Sequence, residues 1–250
     1  MLKNFIKYAL QKLFGLKTYL FLFSLFMIKK LSRDKRERAF IKFIELIKDS
    51  GHMLDVGANI GVMTYHFSKK LPKSTIHSFE PIPVNFNNLA RIKQKYRLNN
   101  VILYKHALGN SNGEIQIVLP KVAGVYLHGL SHVFKGEEPI AGIKHNVAIK
   151  RLDDMDGFLQ MPVTAIKIDV ENYEYEVLLG AEKLICKNRP LIYCELWMGE
   201  NRRKSFEFLC RHNYSAFVLQ CNMLTSFDGQ SHHHNFFFIP VERIEDLKLL

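Results

Sequence analysis

Five acids in this chain stand where short apolar runs end. Asp55 closes HMLD, Glu80 closes STIHSFE, Asp169 and Glu171 follow VTAIKI, and Glu195 closes PLIYCE. In open α/β sheets, ligands bind beyond the carboxyl ends of the strands, so acids there meet the ligand. Asp55 is followed by Gly57, Asn59 and Gly61 in DVGANIG. A phosphate loop needs G-x-x-x-x-G-K-[ST], and no Lys-Ser/Thr pair follows the second glycine. A dinucleotide fingerprint needs a glycine where Asn59 stands. The acid beside the turn would itself repel phosphate.

The turn therefore suits a ligand with positive charge and no phosphate. S-adenosylmethionine (SAM), with a sulfonium, an ammonium and a ribose, is one. Asp55 would supply the counter-charge, and the glycines would let the backbone approach the methionine part. An ordinary strand-to-helix turn has the same spacing, so the second acid matters. Glu80 ends the next apolar run, where a carboxylate can accept both ribose hydroxyls.

Alternation of short apolar runs with helical patterns from residue 52 onward predicts a mostly parallel sheet wrapped by helices. Strands are expected at MLDV, 74–80, 101–107, 163–170 and 190–197, with YSAFVLQ and NFFFIP closing the sheet. Helices are expected at IGVMTYHFSKK, 84–98, EYEVLLGAEKLI and SFEFLCRH. Residues 113–120 alternate with period two and read as an extra β segment. Residues 121–146 show no clear period and read as a long connecting loop over the site.

The chain of 250 residues is 48% hydrophobic, which excludes disorder and suits one α/β domain with an appendage. Its net charge of +11 is not evenly spread. Residues 1–42 hold 11 Lys and Arg against two acids, and the remainder holds 24 against 22. The chain thus divides into a basic, apolar helical extension (1–48) and a nearly neutral domain (49–250). In the extension, Leu2, Phe5, Ile6, Ala9, Leu10, Leu13 and Phe14 fall on one helical face, with Lys3, Lys7 and Lys12 on the other and Gly15 as a stop. The uncharged run 18–28 is too short to span a bilayer, which needs about 20 residues. RDKRER follows where a signal peptide would have its cleavage site. Three readings stay open for residues 1–31: helices covering a face of the domain, a basic amphipathic anchor on an anionic membrane surface, and a basic arm for nucleic acid. Residues 33–48 form a further helix with Phe40, Phe43, Ile44 and Ile47 inward. None of Cys186, Cys194, Cys210 and Cys221 forms a C-x-x-C pair. At least two lie in apolar segments and read as core residues, consistent with a reducing cytoplasmic setting.

The blocks DVGANIG, FEPIPVNFNNL, LNNVILYKHALG, RLDDM, IKIDVENYEYEVLLGA and RPLIYCE, in that order, resemble the FkbM family of SAM-dependent methyltransferases. The resemblance covers about residues 52–196, with a weaker tail to about 240. It implies a class I, Rossmann-like methyltransferase fold, with a mostly parallel seven-stranded sheet whose last strand is antiparallel. It also implies O-methylation of a hydroxyl on a saccharide, glycolipid or related natural product. Residue by residue, Asp55, Gly57, Asn59 and Gly61 match the family's cofactor turn, Glu80 its ribose acid, and His106 and Ala107 the stretch near the adenine. Asn172 stands where the family usually has glycine, and asparagine tolerates a left-handed backbone better than most residues.

A hydroxyl acceptor needs a base to take its proton. Asp169 is expected near the methionine part or the acceptor, and Glu171 as a base or an acceptor-orienting group. Both could instead cap the following helix. Glu195 is a supporting candidate, and His128 and His132 could reach over the acceptor. No metal site is expected. A divalent ion held by Asp169 and Glu171 stays open as an alternative without a clear ligand set, and His232, His233 and His234 cannot all point one way on an extended segment. No nucleic acid is expected as partner, because DVENY stands where adenine amino-methylases carry Asp/Asn-Pro-Pro-aromatic. A methyltransferase on RNA or protein, or a non-catalytic scaffold, are the alternatives. The expected setting is the cytoplasm, peripheral to the membrane face if residues 1–31 anchor the chain.

Overall fold

The computed structural model describes residues 2–31, 33–134, 136, 141–229 and 232–247, with side chains from Ile6 onward. The expected roles of Leu2, Lys3 and Phe5 on the helix faces, and residues 135 and 137–140 of the long connection, lie outside what is described.

Each central strand is buried almost throughout because both faces of the sheet are covered. The strands are β1 (His52–Val56), β2 (Thr75–Phe79), β3 (Val101–Tyr104), β4 (Ala107–Leu108), β5 (Gly113–Val122), β6 (Val125–Tyr126), β7 (His132–Val133), β8 (Gly142–Lys150), β9 (Val163–Ile168), β10 (Leu191–Glu195), β11 (Tyr214–Gln220), β12 (Met223–Ser226) and β13 (Asn235–Pro240). The helices are α1 (Leu2–Leu31), α2 (Arg38–Leu46), α3 (Val62–Lys70), α4 (Pro83–Tyr96), α5 (Glu174–Gly180), α6 (Glu182–Asn188) and α7 (Glu200–Arg211). The main sheet runs β3-β2-β1-β9-β10-β13-β11-β12. Strands β3, β2, β1, β9 and β10 run parallel to one another. The last strand, β13, inserts antiparallel between β10 and β11. The class I arrangement is therefore present, and β12 adds an eighth strand at the edge, paired antiparallel with β11.

Alternating side chains divide between two cores. Leu54, Val56, Ile166, Ile168 and Phe236 pack on one side with α5, α6 and α7. Met53, Ile76, Ala165, Tyr193 and Phe237 pack on the other with Phe67 and with Phe40, Phe43, Ile44 and Ile47 of the extension. All four of those residues are buried, as their spacing predicts. The division at residue 48 is thus one of composition, and the core runs across it.

Three expectations change. First, residues 121–146 are not one loop: β6, β7 and β8 join β4 and β5 in a second small sheet. There β5 pairs with β8 from Gly113↔Ile149 to Pro120↔Gly142. The pattern was hidden because β8 exposes most of its side chains and has little apolar alternation. Second, the face Ile6, Ala9, Leu10, Leu13 and Phe14 points to solvent, while Gln11 is buried. Gly15 does break the helix, with φ 70° and ψ 157°, but the chain continues as helix beyond it. The continuous stretch Ile6–Leu31 is in consequence long and apolar enough to cross a membrane by length and composition. Third, of the four cysteines only Cys194 is buried.

The expected helix at EYEVLLGAEKLI is broken between Gly180 and Glu182. A Cβ at Gly180 would stand 1.8 Å from the carbonyl oxygen of Gly109, so α5 rests directly on the turn after β4. Gly180→Ala should cost about 1–3 kcal/mol through overpacking against that backbone. Urea denaturation checks this, and an unchanged midpoint would contradict the contact.

Candidate functional site

The turn after β1 has three left-handed residues in five: Gly57 (φ 79°), Asn59 (φ 49°) and Gly61 (φ 87°). At Gly57 a Cβ would lie 1.9 Å from the carbonyl oxygen of Asp169, so only glycine lets the first and fourth strand ends meet. Gly61 starts α3. Asn59 sits between, and its N–H donates to Glu80 Oε2 at 2.8 Å.

Glu80 is buried at the end of β2. Its other oxygen accepts from the Ile82 N–H at 2.9 Å and from Asn85 Nδ2 at 3.4 Å. Burial pushes its pKa up to about 7, against the hydrogen bonds from Ile82, Asn59 and Asn85. Glu80 and Asn85 line a cavity of about 700 Å³ of empty space, partly open to solvent. Gly57, Asn59, His106, Ala107, His128, His132, Asp169 and Glu171 line it too. Nearly all the residues singled out from the sequence thus converge there.

Asp55 does not reach the cavity. It is fully buried beneath the turn, where Oδ2 accepts from Thr64 Oγ1 at 2.6 Å and Oδ1 stands 3.5 Å from Lys167 Nζ. Lys167 is the residue that sequence reasoning missed. Only 1% exposed near the carboxyl end of β9, it also lies 3.5 Å from Asp169 Oδ2 and donates to the Gly57 carbonyl at 2.8 Å. Burial opposes its charge, but Asp169 and Asp55 outweigh that and hold its pKa above the ordinary lysine value. A lone lysine inside the apolar run VTAIKI was the available signal, since unpaired lysines are almost never fully buried.

Asp169, whose side chain is 28% exposed, faces the cavity from this ion cluster. Glu171 and Asn172 follow with φ 55° and 69°. Asn172 thus adopts the left-handed backbone that its place in the motif requires. Neither Asp169 nor Glu171 caps α5, whose N-cap is Tyr173 without a side-chain bond. Glu174, also missed, holds the turn instead: its Oε1 accepts from the N–H groups of Val170 (3.1 Å) and Asn172 (3.3 Å), and Asn201 donates to its other oxygen. Burial, and then the charges of Asp169, Glu195 and Glu174, push the Glu171 pKa up to about 8. Glu195 stands outside the cavity lining at the end of β10, its pKa raised to about 7 by burial and by Asp169.

His106 donates from Nδ1 to the Ala107 carbonyl at 3.0 Å, which leaves Nε2 as an acceptor in the neutral ring. Burial lowers its pKa, so neutral is the form at pH 7. His128 bonds through Nδ1 to Asn59 Oδ1 at 3.2 Å, and burial, then Lys7, push it down to about 4. It rests edge-on against Phe23 of α1, ring centroids 5.6 Å apart. His132 lines the cavity, whereas His232, His233 and His234 lie away from it. Among the described residues no group of three or more His, Cys, Asp or Glu side chains could hold a metal ion.

Residues 55–233 match a family described as the methyltransferase FkbM domain. Methyltransferase 1 of Beauveria bassiana is 29% identical over 150 residues, 54% of this chain and 59% of that protein. The hexuronic acid methyltransferase AglP of Haloferax volcanii is 25% identical over 192 residues, 76% of this chain and 75% of that protein. The crystal structure of a methyltransferase FkbM from Methylobacillus flagellatus superposes with a TM-score of 0.50 at 16% identity, over 76% of this chain and 43% of that chain. The chain therefore spans less than two thirds of the fungal relative and under half of that solved chain.

Glu171 keeps its proton to about pH 8 in the folded chain, against an ordinary value of 4.5. The folded state thus binds more protons than the unfolded one between those values, and stability falls as pH rises through that window. Glu171→Gln should remove part of that fall, so the variant gains melting temperature over wild type at pH 8 and not at pH 4. Parallel melting curves would contradict the raised pKa.

Proposed function

The chain belongs to the FkbM family of methyltransferases, and from that premise we propose that it is a SAM-dependent O-methyltransferase acting on a hydroxyl of a saccharide, glycolipid or related natural product. The observation that carries the reading is the pair Asp169 and Glu171 on one edge of the cavity. One carboxylate is tied to the buried Lys167, and the other has burial and like charge holding its proton near neutral pH. A carboxyl that burial and like charge keep protonated near neutral pH at a cavity edge is a candidate acid–base group.

The cavity residues fit the donor. Both oxygens of Glu80 are oriented by backbone N–H groups and keep lone pairs for the two ribose hydroxyls. Asn85 Oδ1 is a buried acceptor with no hydrogen-bond partner among the described residues. Nε2 of His106 is placed to accept from an exocyclic amine. Asp169 provides negative charge at the cavity wall for the sulfonium or ammonium, while Asp55 acts beneath it through Lys167. When bound, SAM supplies a methyl on a sulfonium, whose C–S bond breaks as the C–O bond forms, leaving a neutral thioether.

Glu171 then takes the hydroxyl proton. Its raised pKa suits a base, because proton affinity is high and a bound sulfonium shifts the group toward its ionised form. The cavity edge favours a neutral acceptor. A uronate, such as the name of the archaeal relative implies for that protein, would set another carboxylate against Asp169 and Glu171. In this reading the enzyme works in the cytoplasm, without a catalytic metal or a nucleic-acid partner.

The test is methyl transfer from labelled SAM into fractionated extract of the source cells. Base-stable label in saccharide or lipid is expected, with transfer rising with pH along a limb at or below about 8, since a bound sulfonium draws the Glu171 pKa down. Glu171→Gln should lower the rate about 100- to 10,000-fold. Label in RNA or protein would overturn the acceptor class, and no label despite SAM binding would favour a non-catalytic scaffold.

A further inference from the structure

We propose that the outer face of α1 is a docking surface for an anionic phospholipid membrane, on which the helix lies flat. Ile6, Leu10, Leu13, Phe14, Leu22 and Phe26 are 37–75% exposed along this one helix. They continue past the Gly15 kink, so the apolar surface follows the whole element rather than one end. Lys7, Lys12, Lys17, Lys29 and Lys30 accompany them, and residues 2–31 contain no acid. Apolar side chains with lysines alongside and no carboxylate complement a surface that is hydrocarbon beneath and anionic above. A protein partner would need no such uniform charge.

The inner face explains why the helix lies on the membrane and does not cross it. Leu20, Ser24, Ile28 and Leu31 are buried against the domain. Asn88 of α4 donates to Ser24 Oγ at 2.7 Å and to the Ile60 carbonyl at 2.9 Å. Arg91 donates to the Lys17 carbonyl at 3.2 Å and lies over the Phe21 ring at 3.9 Å. Pulling α1 into a bilayer would strip these partners and uncover the core beneath.

The docked helix also holds the wall of the cavity. Gln11 exchanges two hydrogen bonds with the Tyr126 backbone, at 3.2 and 3.1 Å. Phe23 supports His128, which bonds Asn59 of the cofactor turn. A membrane bound by α1 would therefore lie next to the segment that closes the cavity, which brings a lipid-linked acceptor within reach. The docking itself does not depend on the methyl-transfer reading.

The test is flotation of the full chain with vesicles of phosphatidylcholine and phosphatidylglycerol, against phosphatidylcholine alone. The chain should float with the anionic vesicles and be released by salt. Leu13→Glu/Phe26→Glu and Lys7→Glu/Lys12→Glu should each reduce partitioning about tenfold or more. Circular dichroism and SAM titration on the same preparations separate a lost surface from a lost fold. Equal, poor flotation of wild type and variants would overturn the proposal. So would a dimer that Leu13→Glu/Phe26→Glu dissolves without any lipid binding, or membrane-bound chain that alkaline carbonate fails to release.

Discussion

A single buried ammonium organises the working edge of this sheet. Lys167 reaches from β9 between Asp55 of β1 and Asp169 at its own strand end, and donates to the Gly57 carbonyl. Burying three charges is costly, and the arrangement persists only because each has partners. Removing one partner of such a cluster typically costs about 3–5 kcal/mol, since a charge is left buried and uncompensated. The same atoms fix the backbone: Gly57 must lack a Cβ because the Asp169 carbonyl occupies that space. The turn after β1 and the end of β9 are therefore held together as one unit.

That unit separates the roles of the acids. Asp169 has a cation beside it, whereas Glu171, two residues on, has burial and three acids around it. Its left-handed backbone turns it into the cavity, and Glu174 holds the turn from outside through two backbone N–H groups. The wall facing them comes from elements that are not part of the main sheet. His128 and His132 belong to the excursion from β5 to β8, and α1 supports that excursion from the other side. The proposed membrane face and the cavity thus share one helix.

Much of this was legible in the sequence because it rests on local chemistry. Strand-end acids and a glycine turn single out Gly57, Asn59 and Glu80, which line the cavity, and apolar runs reveal the central strands. What was not legible depends on tertiary contact. Asp55 looked like a ligand residue, yet it is fully buried under Lys167, whose partners lie more than 100 positions apart in sequence. Glu174 stands in the first turn of α5, and only the fold shows it gripping Val170 and Asn172. The excursion at 121–146 looked like a loop because β8 packs on one side and leaves the other wet. Periodicity placed Leu10, Leu13 and Phe14 on one face of α1, but periodicity alone does not say whether that face meets protein or solvent.

The most direct measurement is a calorimetric titration of the full chain with SAM, for wild type and for Glu80→Gln. The account predicts one site in wild type. It also predicts proton release on binding near pH 7, as the ribose and the cationic donor favour the ionised form of a carboxyl held at about 7. Glu80→Gln should weaken binding about tenfold to a hundredfold, the worth of one hydrogen bond to a charged group. No heat of binding in wild type, or equal affinity in the variant, would contradict the placement of the donor at this edge.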